Sequence, residues 1–564
     1  MITPEAVWNQ LRALEDKMFG TPLSVVDVGL IYDVEVRDRD VYIKVAVFNK
    51  GHLQINSLSS PVRQQILAME GVGEVRVECV WEPAWTPDRL SQKARDVLGF
   101  EPDDPIEGRL HVRSTEKAAA DAPPFDAKKL DRDPLFIPED AWELVEQLPR
   151  DRFLKWWGGW RFCKRFVVEE RDGLPRRGEP VYLNCAFAGN QIRAMAKEIR
   201  LVEECSGEEI PCQVYAQKPD ADPKSCSIVF LASVAAAERK TYLVFYGNFS
   251  PACWRPIYLS DLEVRGEEYA LEIENSYYRA RLSPVMGHLR NLKFKKWGKT
   301  MLDWYEEPTP INLTDAANDP KGELDIAWHG EHNCIHWTPD FSNQLRFRMT
   351  NWPEPPNYEV VKGPICTIVR RWGYPVTPIY PALPQSAVSI EVTYVFYSGL
   401  PYFTMATRLD VEQEVDIEVV RFDQWLFDNA FTHALSMVEG GDVEISEEAF
   451  WFAQSNPALL GFVNEHLKDA FASLRLAFDA RGFPGAFHPQ DTGVWMRSFG
   501  QKIWNRAAFQ AGGKTVAIQP GATMAEYNAY LAYNAGEEGG HDQAGAWYNL
   551  LRRPLHLTYW AKKP

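Results

Sequence analysis

The densest group of chemically capable side chains is Trp328-His-Gly-Glu-His-Asn-Cys-Ile-His-Trp337. His329, His332 and His336, with Glu331 and Cys334, put five metal ligands or proton carriers within eight residues. A helix would bring the three imidazoles to one side, whereas a strand would align His332, Cys334 and His336. Either grouping could hold a divalent metal, with His329 among its ligands, and a single imidazole could act as a general base. A third reading is a loop whose His and Trp simply hydrogen-bond and pack. Downstream lie Arg346, Arg348, Asn351 and Trp352. A lyase acting on a uronate needs one group to neutralise the carboxylate and another to remove the adjacent proton. His332 and His336 are the candidate catalytic imidazoles and Arg346 the neutraliser. Trp328, Trp337, Asn351 and Trp352 are the expected saccharide contacts.

Two later segments add candidates. Arg421-Phe-Asp-Gln-Trp-Leu-Phe-Asp428 sets carboxylates beside an indole, so Asp423 and Trp425 are expected substrate contacts. Asp423 and Asp428 could serve a hydrolase as acid and base, the plainer reading being solvated strand or turn carboxylates. Arg481-Gly-Phe-Pro-Gly-Ala-Phe-His-Pro489, with Trp495 and Arg497 behind it, has the make-up of a cleft-lining loop. His488 is its catalytic candidate, and Trp495 and Arg497 its substrate contacts. Glu526-Tyr-Asn-Ala-Tyr530 reads as part of a late helix packed into the core.

These residues need a scaffold, and beyond Phe153 the scaffold reads as β. Pro180–Phe187, Ser227–Leu231, Thr241–Tyr246 and Ala387–Tyr397 are strand-like runs separated by Gly/Pro turns, the pattern of sandwiches. No Walker lysine loop, Gly-x-Gly-x-x-Gly, His-Glu-x-x-His or Gly-x-Ser-x-Gly stands in a supporting context. A chain of 564 residues allows three or four domains. Its formal charge of −17 argues against nucleic acid, which a basic surface would have to meet. Twenty Trp, 29 Phe and 22 Tyr supply stacking platforms for sugars or fillers for sandwich cores. No basic-then-apolar leader and no membrane-length apolar window is visible, so a cytoplasmic protein is expected. Nine Cys without a Cys-x-x-Cys pair read as buried, reduced thiols.

The first hundred residues have their own logic. Thr3 and Pro4 suit the N-cap and first turn of a helix whose Val7, Leu11, Leu14 and Met18 recur at helical spacing. A turn at Ser24 leads into a strand; Val41, Ile43, Val45 and Val47 alternate as a second; a helix over roughly 58–69 follows. Val75, Val77 and Cys79 form a third strand. The order α-β-β-α-β suffices for a three-stranded sheet with helices on one face.

Val25-Val-Asp-Val-Gly-Leu-Ile-Tyr32 and Trp81-Glu-Pro-Ala-Trp-Thr-Pro-Asp-Arg89, with Ser91, Arg95, Leu98 and Gly99 behind, resemble the two signatures of the metal-sulfur cluster biosynthetic (PaaD-like) family. The resemblance covers about 90 residues and implies a role in iron–sulfur assembly or delivery. That family's functional Cys stands in the loop before the second helix; here the loop reads Asn49-Lys-Gly-His-Leu-Gln54, with His52 in its place. Asp16 and His52 are the metal candidates that remain, and imidazole is a poorer ligand than thiolate for such chemistry. A docking or oligomerisation module, joining copies of the chain, is the other reading. Leu271–Leu292, which contains Glu272-Ile-Glu-Asn-Ser-Tyr-Tyr-Arg-Ala-Arg-Leu282, is similar to the opening of galactose-mutarotase-like supersandwiches, a class that includes domains of α-mannosidases and polysaccharide lyases.

The expected fold class is therefore multidomain: a small α+β N-terminal domain followed by a mostly β sandwich and supersandwich region. The boundaries are 1–100, a Pro- and charge-rich linker 101–145, a sandwich 146–262 and a supersandwich 263–564. The expected function is a lyase or glycoside hydrolase with a carbohydrate substrate and no nucleic-acid or membrane partner. An iron–sulfur or metal delivery factor with a client-binding β domain, or a glycan binder without turnover, is the alternative.

Overall fold

A computed structural model describes residues 2–14, 23–46, 54–80, 89–94, 134–250, 253–282, 289–294, 300–302, 334–336, 347–348, 357–374, 387–417, 419–427, 431–452, 457–484, 492–496, 502–510 and 516–560. The chain is multidomain and mostly β, with a small α+β domain first, as its patterning requires.

Thr3 caps the helix Pro4–Arg12: its backbone is extended and its Oγ1 accepts from the Ala6 amide at 3.2 Å. Val7 and Leu11 are the buried side of that helix. The strands Ile31–Arg37 and Asp40–Ala46 pair antiparallel. Val75–Val80 then joins the second strand in parallel. A parallel partner needs a crossover, which the helix Gln54–Leu67 supplies a few residues earlier than the sequence suggests.

The leading sandwich has a four-stranded sheet, in which Arg176–Phe187 and Lys224–Val234 are central, facing a sheet built on Phe162–Glu169 and Arg239–Tyr246. Phe166, Phe230 and Tyr242 interlock between the layers. This sandwich reaches beyond the expected span of 146–262. Leu135–Ile137 adds in parallel to Arg176–Phe187, and Glu143–Leu144 pairs with Phe162–Glu169. Strands of three and two residues are too short to show a period in a Pro-rich stretch. The buried Lys164 ammonium holds this segment by donating to the carbonyls of Pro138, Glu139 and Ala141 at 2.6, 3.3 and 3.3 Å. The strand His556–Tyr559, from the far end of the chain, closes the same sheet against Phe162–Glu169.

The larger region begins with an antiparallel meander from Glu263–Glu267 to Thr300–Leu302. Two sheets follow. One has nine strands, with Val388–Tyr397, Tyr402–Val411, Thr523–Asn534 and Asp469–Arg481 side by side in that order. The other has six, in the order Phe347–Arg348, Cys334–His336, Val419–Phe427, Lys502–Gln510, Gly493–Met496, Phe450–Trp451. Glu526–Tyr530, expected on a helix, lies instead in the strand Thr523–Asn534. Both of its faces are buried, so apolar and aromatic residues occupy both alternating sets and the two-residue period is hidden.

Cys163, Cys185, Cys212, Cys226 and Cys366 are buried free thiols as expected, while Cys205 is exposed. No described helix is long and apolar enough to cross a membrane.

Candidate active site between two sheets

Cys334, His336, Arg348, Asp423, Trp425 and Trp495, all singled out from sequence, share the six-stranded sheet. His336 pairs with Val419 across Cys334–His336 and Val419–Phe427, the strand that carries Asp423 and Trp425. Trp495 lies opposite Ile503 two strands further along. For His336 and Trp495 the description ends at the backbone. Asp16, His52, Trp328, His329, His332, Trp337, Arg346, Asn351, Trp352, Asp428, His488 and Arg497 lie outside the described residues. Among the described residues no group of three or more His, Cys, Asp or Glu is arranged to hold a metal ion.

Asp423 and Trp425 are fully buried, so the structure gives them neighbours in the interior rather than on an open surface. The pairing register shifts on both sides of Arg421, a bulge that re-aims the strand just before Asp423. Asp423 then meets only donors. Its Oδ1 accepts from the Trp504 indole at 3.0 Å and the Tyr530 hydroxyl at 3.2 Å, and its Oδ2 from the Ser473 hydroxyl. The Arg506 guanidinium, also fully buried, sits 3.3 Å from Oδ2. Arg506 is fixed in turn by the carbonyls of Pro457 and Ser473. Trp425 stacks obliquely on Tyr530, 4.6 Å between ring centres.

Sequence reading missed the other half of this layer. Glu526, Asn528 and Tyr530 alternate along Thr523–Asn534 and so share a face, and Asn528 pairs with Arg475 in the neighbouring strand. A second register shift, between Arg475 and Ala477, turns that strand beside the charges. Arg475 Nε lies 2.9 Å from Glu526 Oε1, and Arg506 Nε lies 4.0 Å from the same oxygen. One guanidinium nitrogen thus faces both carboxylates, and their oxygens are no farther apart than those two contacts combined. Two features were visible in the sequence: an Arg at 475 and a Glu at 526, each inside an otherwise apolar run.

Burial pushes the Glu526 carboxyl up, and the Asp423 charge adds to this against the pull of Arg475 and Arg506. Burial also lowers the Arg475 guanidinium, to about 10. The layer is not saturated. Arg475 Nη1 and Nη2 and Asn528 Oδ1 are buried without a hydrogen-bond partner among the described residues. Buried polar groups almost always have partners, so this trio is chemically set to receive further donors and acceptors. Two carboxylates within reach of one cation, one of them inclined to hold its proton, are chemically able to act as an acid and base pair.

In the first domain the two sequence signatures meet. The Ser91 amide donates to the Asp27 carbonyl at 2.8 Å and its hydroxyl to Asp27 Oδ1 at 3.3 Å. Lys93 and Ser24 close on Oδ2 at 2.9 Å each. Arg89 lies over the Tyr32 ring at 3.7 Å. Gly29 must be glycine: its φ is +70°, and a Cβ would stand 2.4 Å from the Arg89 carbonyl oxygen. The domain's one thiol is Cys79 on Val75–Val80. Burial raises it to about 11, and the Glu78 charge adds to this. A single protonated thiol does not fit a cluster-binding donor set.

Residues 4–78 match the family model described as iron-sulfur cluster assembly protein. An "Fe-S protein maturation auxiliary factor" of Porphyromonas gingivalis is 30% identical over 99 residues, 17% of this chain and 92% of that protein. A second such factor, from Bacillus subtilis, is 26% identical over 98 residues, again 17% of this chain and 94% of the relative. Over the larger region, a glycosyl hydrolase family 38 protein from Enterococcus faecalis is similar at 9% identity with a TM-score of 0.41. That similarity covers 71% of this chain and 48% of that one. Through its first domain, the chain belongs to the iron-sulfur cluster assembly protein family.

Proposed function

We propose that the protein processes carbohydrate, as a glycoside hydrolase whose acid and base are Glu526 and Asp423. The observation that carries this reading is the buried layer itself: two carboxylates spanned by Arg506, beside Trp425, Trp504 and Tyr530, with polar atoms on Arg475 and Asn528 that have no partner among the described residues. Sugars present what such a layer lacks, hydroxyls that both donate and accept beside flat apolar ring faces. In the proposed step Glu526 gives its proton to the glycosidic oxygen as the C–O bond breaks. Water adds to the anomeric carbon, and Asp423 takes the proton that this water loses. The lyase reading depends on His332 and Arg346; the carboxylate pair supports hydrolysis.

The test is release of reducing ends from a panel of neutral and acidic oligosaccharides. Wild-type protein should turn over at least one class, and Glu526→Gln should lower that rate by about 100-fold or more. No turnover of any saccharide, or an undiminished rate in a Glu526→Gln protein with native near-ultraviolet dichroism, would overturn it.

A second reading, delivery of iron or clusters, is favoured by the family to which the first domain belongs. Iron and sulfide content with visible absorbance after anaerobic reconstitution test it. A colourless, iron-free product would remove it.

A further inference from the structure

A cleft of about 620 Å³ opens where the leading sandwich meets the larger region, away from the carboxylate layer's residues. That volume lies within the ~300–1,000 Å³ of ordinary ligand sites. Gln213, Trp254, Arg255, Ile257, Tyr258 and Pro364 line it. We propose that this cleft is a binding site for an acidic saccharide, one whose pyranose ring lies on Trp254 while its carboxylate meets Arg255.

Three observations carry the assignment. The first is a rigid wall with its aromatic side chain in the open. Arg200 Nη2 donates to the Trp254 carbonyl at 2.7 Å, and the Tyr258 hydroxyl donates to Glu209 at 2.7 Å, so this segment is held by one backbone and one side-chain contact. Trp254 nevertheless exposes 75% of its surface and Ile257 95%. Holding large apolar side chains out of the core exposes surface that burial would stabilise by ~25 cal/mol per Å², a cost that a ligand or partner face removes.

The second is an unused donor. Gln213 is 3% exposed, and its Oε1 accepts from the amides of Ile365 and Cys366 at 3.1 and 3.0 Å. Gly363 packs so close that a Cβ there would fall 2.2 Å from the Gln213 side chain, which leaves the amide no room to turn. Gln213 Nε2 is buried with no hydrogen-bond partner among the described residues. An amide locked with its N–H groups unpaired calls for an acceptor from outside the chain.

The third is charge. Arg255 is exposed and has no hydrogen-bond or ion-pair partner among the described residues, in a chain of formal charge −17. Of the nearby carboxylates, Glu209 is engaged by Tyr258 and Arg200, and Glu198 accepts the amides of Arg193 and Ala194 on one oxygen. Among the described residues the lining therefore offers donors and apolar area, and none of its side chains is a carboxylate. A ligand must bring oxygen acceptors, a negative charge and a flat C–H face together, and a uronic acid does so.

The inference requires binding but no turnover, so it stands or falls apart from the hydrolase reading. Calorimetric titration with galacturonic acid oligomers, and with neutral galacto-oligosaccharides of equal length, tests it on the full chain. The acidic oligomers should bind more tightly, and salt should weaken them. Trp254→Ala should reduce their affinity about tenfold or more, and Arg255→Gln should bring it down to the level of the neutral series. Both side chains are exposed, so neither change threatens the fold. Binding should persist in Asp423→Asn and Glu526→Gln proteins, which separates this cleft from the carboxylate layer. No binding of acidic oligomers, equal binding of both series, or binding indifferent to Trp254→Ala would overturn the proposal.

Discussion

Asp27 and Ser91, 64 residues apart, are joined twice: through the Ser91 amide on the Asp27 carbonyl and through the Ser91 hydroxyl on its carboxylate. The contact ties the turn that launches the first sheet to the segment that ends the domain. Burial acts to raise the Asp27 carboxyl, but the Ser24 amide and Lys93 outweigh it and hold it below its ordinary value. Its contribution is therefore present above pH 4 and fades as acid protonates it. Asp27→Ala should destabilise this domain by about 1–2 kcal/mol, as loss of several charge-assisted hydrogen bonds does. Hydrogen exchange resolved by segment should show faster exchange in 23–46 and 89–94 with 134–250 unchanged. Unaltered protection of the first domain would refute the linkage.

Glu170 gives the leading sandwich its acid sensitivity. Burial would raise this carboxyl, yet the amides of Ala237 and Asp172 and the Arg176 guanidinium bring it down to about 2. A carboxyl whose folded value is depressed adds stability above its ordinary value near 4.5, and that contribution disappears as pH falls from there toward 2. Native near-ultraviolet dichroism should weaken across that window. Glu170→Gln should shift the loss to higher pH and flatten its pH dependence, because the amide cannot accept from all of these donors. A variant with the wild-type acid profile would assign the acid response elsewhere.

Asp423 and Arg506 form a fully buried ion pair, and removing one partner is expected to cost far more than removing both. Asp423→Ala leaves the guanidinium uncompensated and should destabilise by about 3–5 kcal/mol, whereas Asp423→Leu with Arg506→Met should recover most of it. Denaturant unfolding of Asp423→Leu, Arg506→Met and the double variant measures the coupling. Additive losses would mean that the two charges do not sense each other.

The sequence by itself determined the first domain and the character of the rest. Thr3-Pro4, the alternation at 41–47 and the two signatures are local patterns, each read from neighbours in the chain, and they fix the α-β-β-α-β order and the family. Runs such as Ala387–Tyr397 likewise announce strands without any partner. The carboxylate layer was decided only by tertiary structure. Asp423, Ser473, Arg506 and Glu526 come from four strands and two sheets, and no spacing along the chain relates them. Where both faces of a strand are buried, the two-residue period carries no sign of which face holds the charge. Bulges beside Asp423 and Arg475 then turned these side chains toward one another, a choice made by sheet pairing. The same pairing took the strand His556–Tyr559 back to the leading sandwich, onto the part of Phe162–Glu169 that Glu143–Leu144 leaves open.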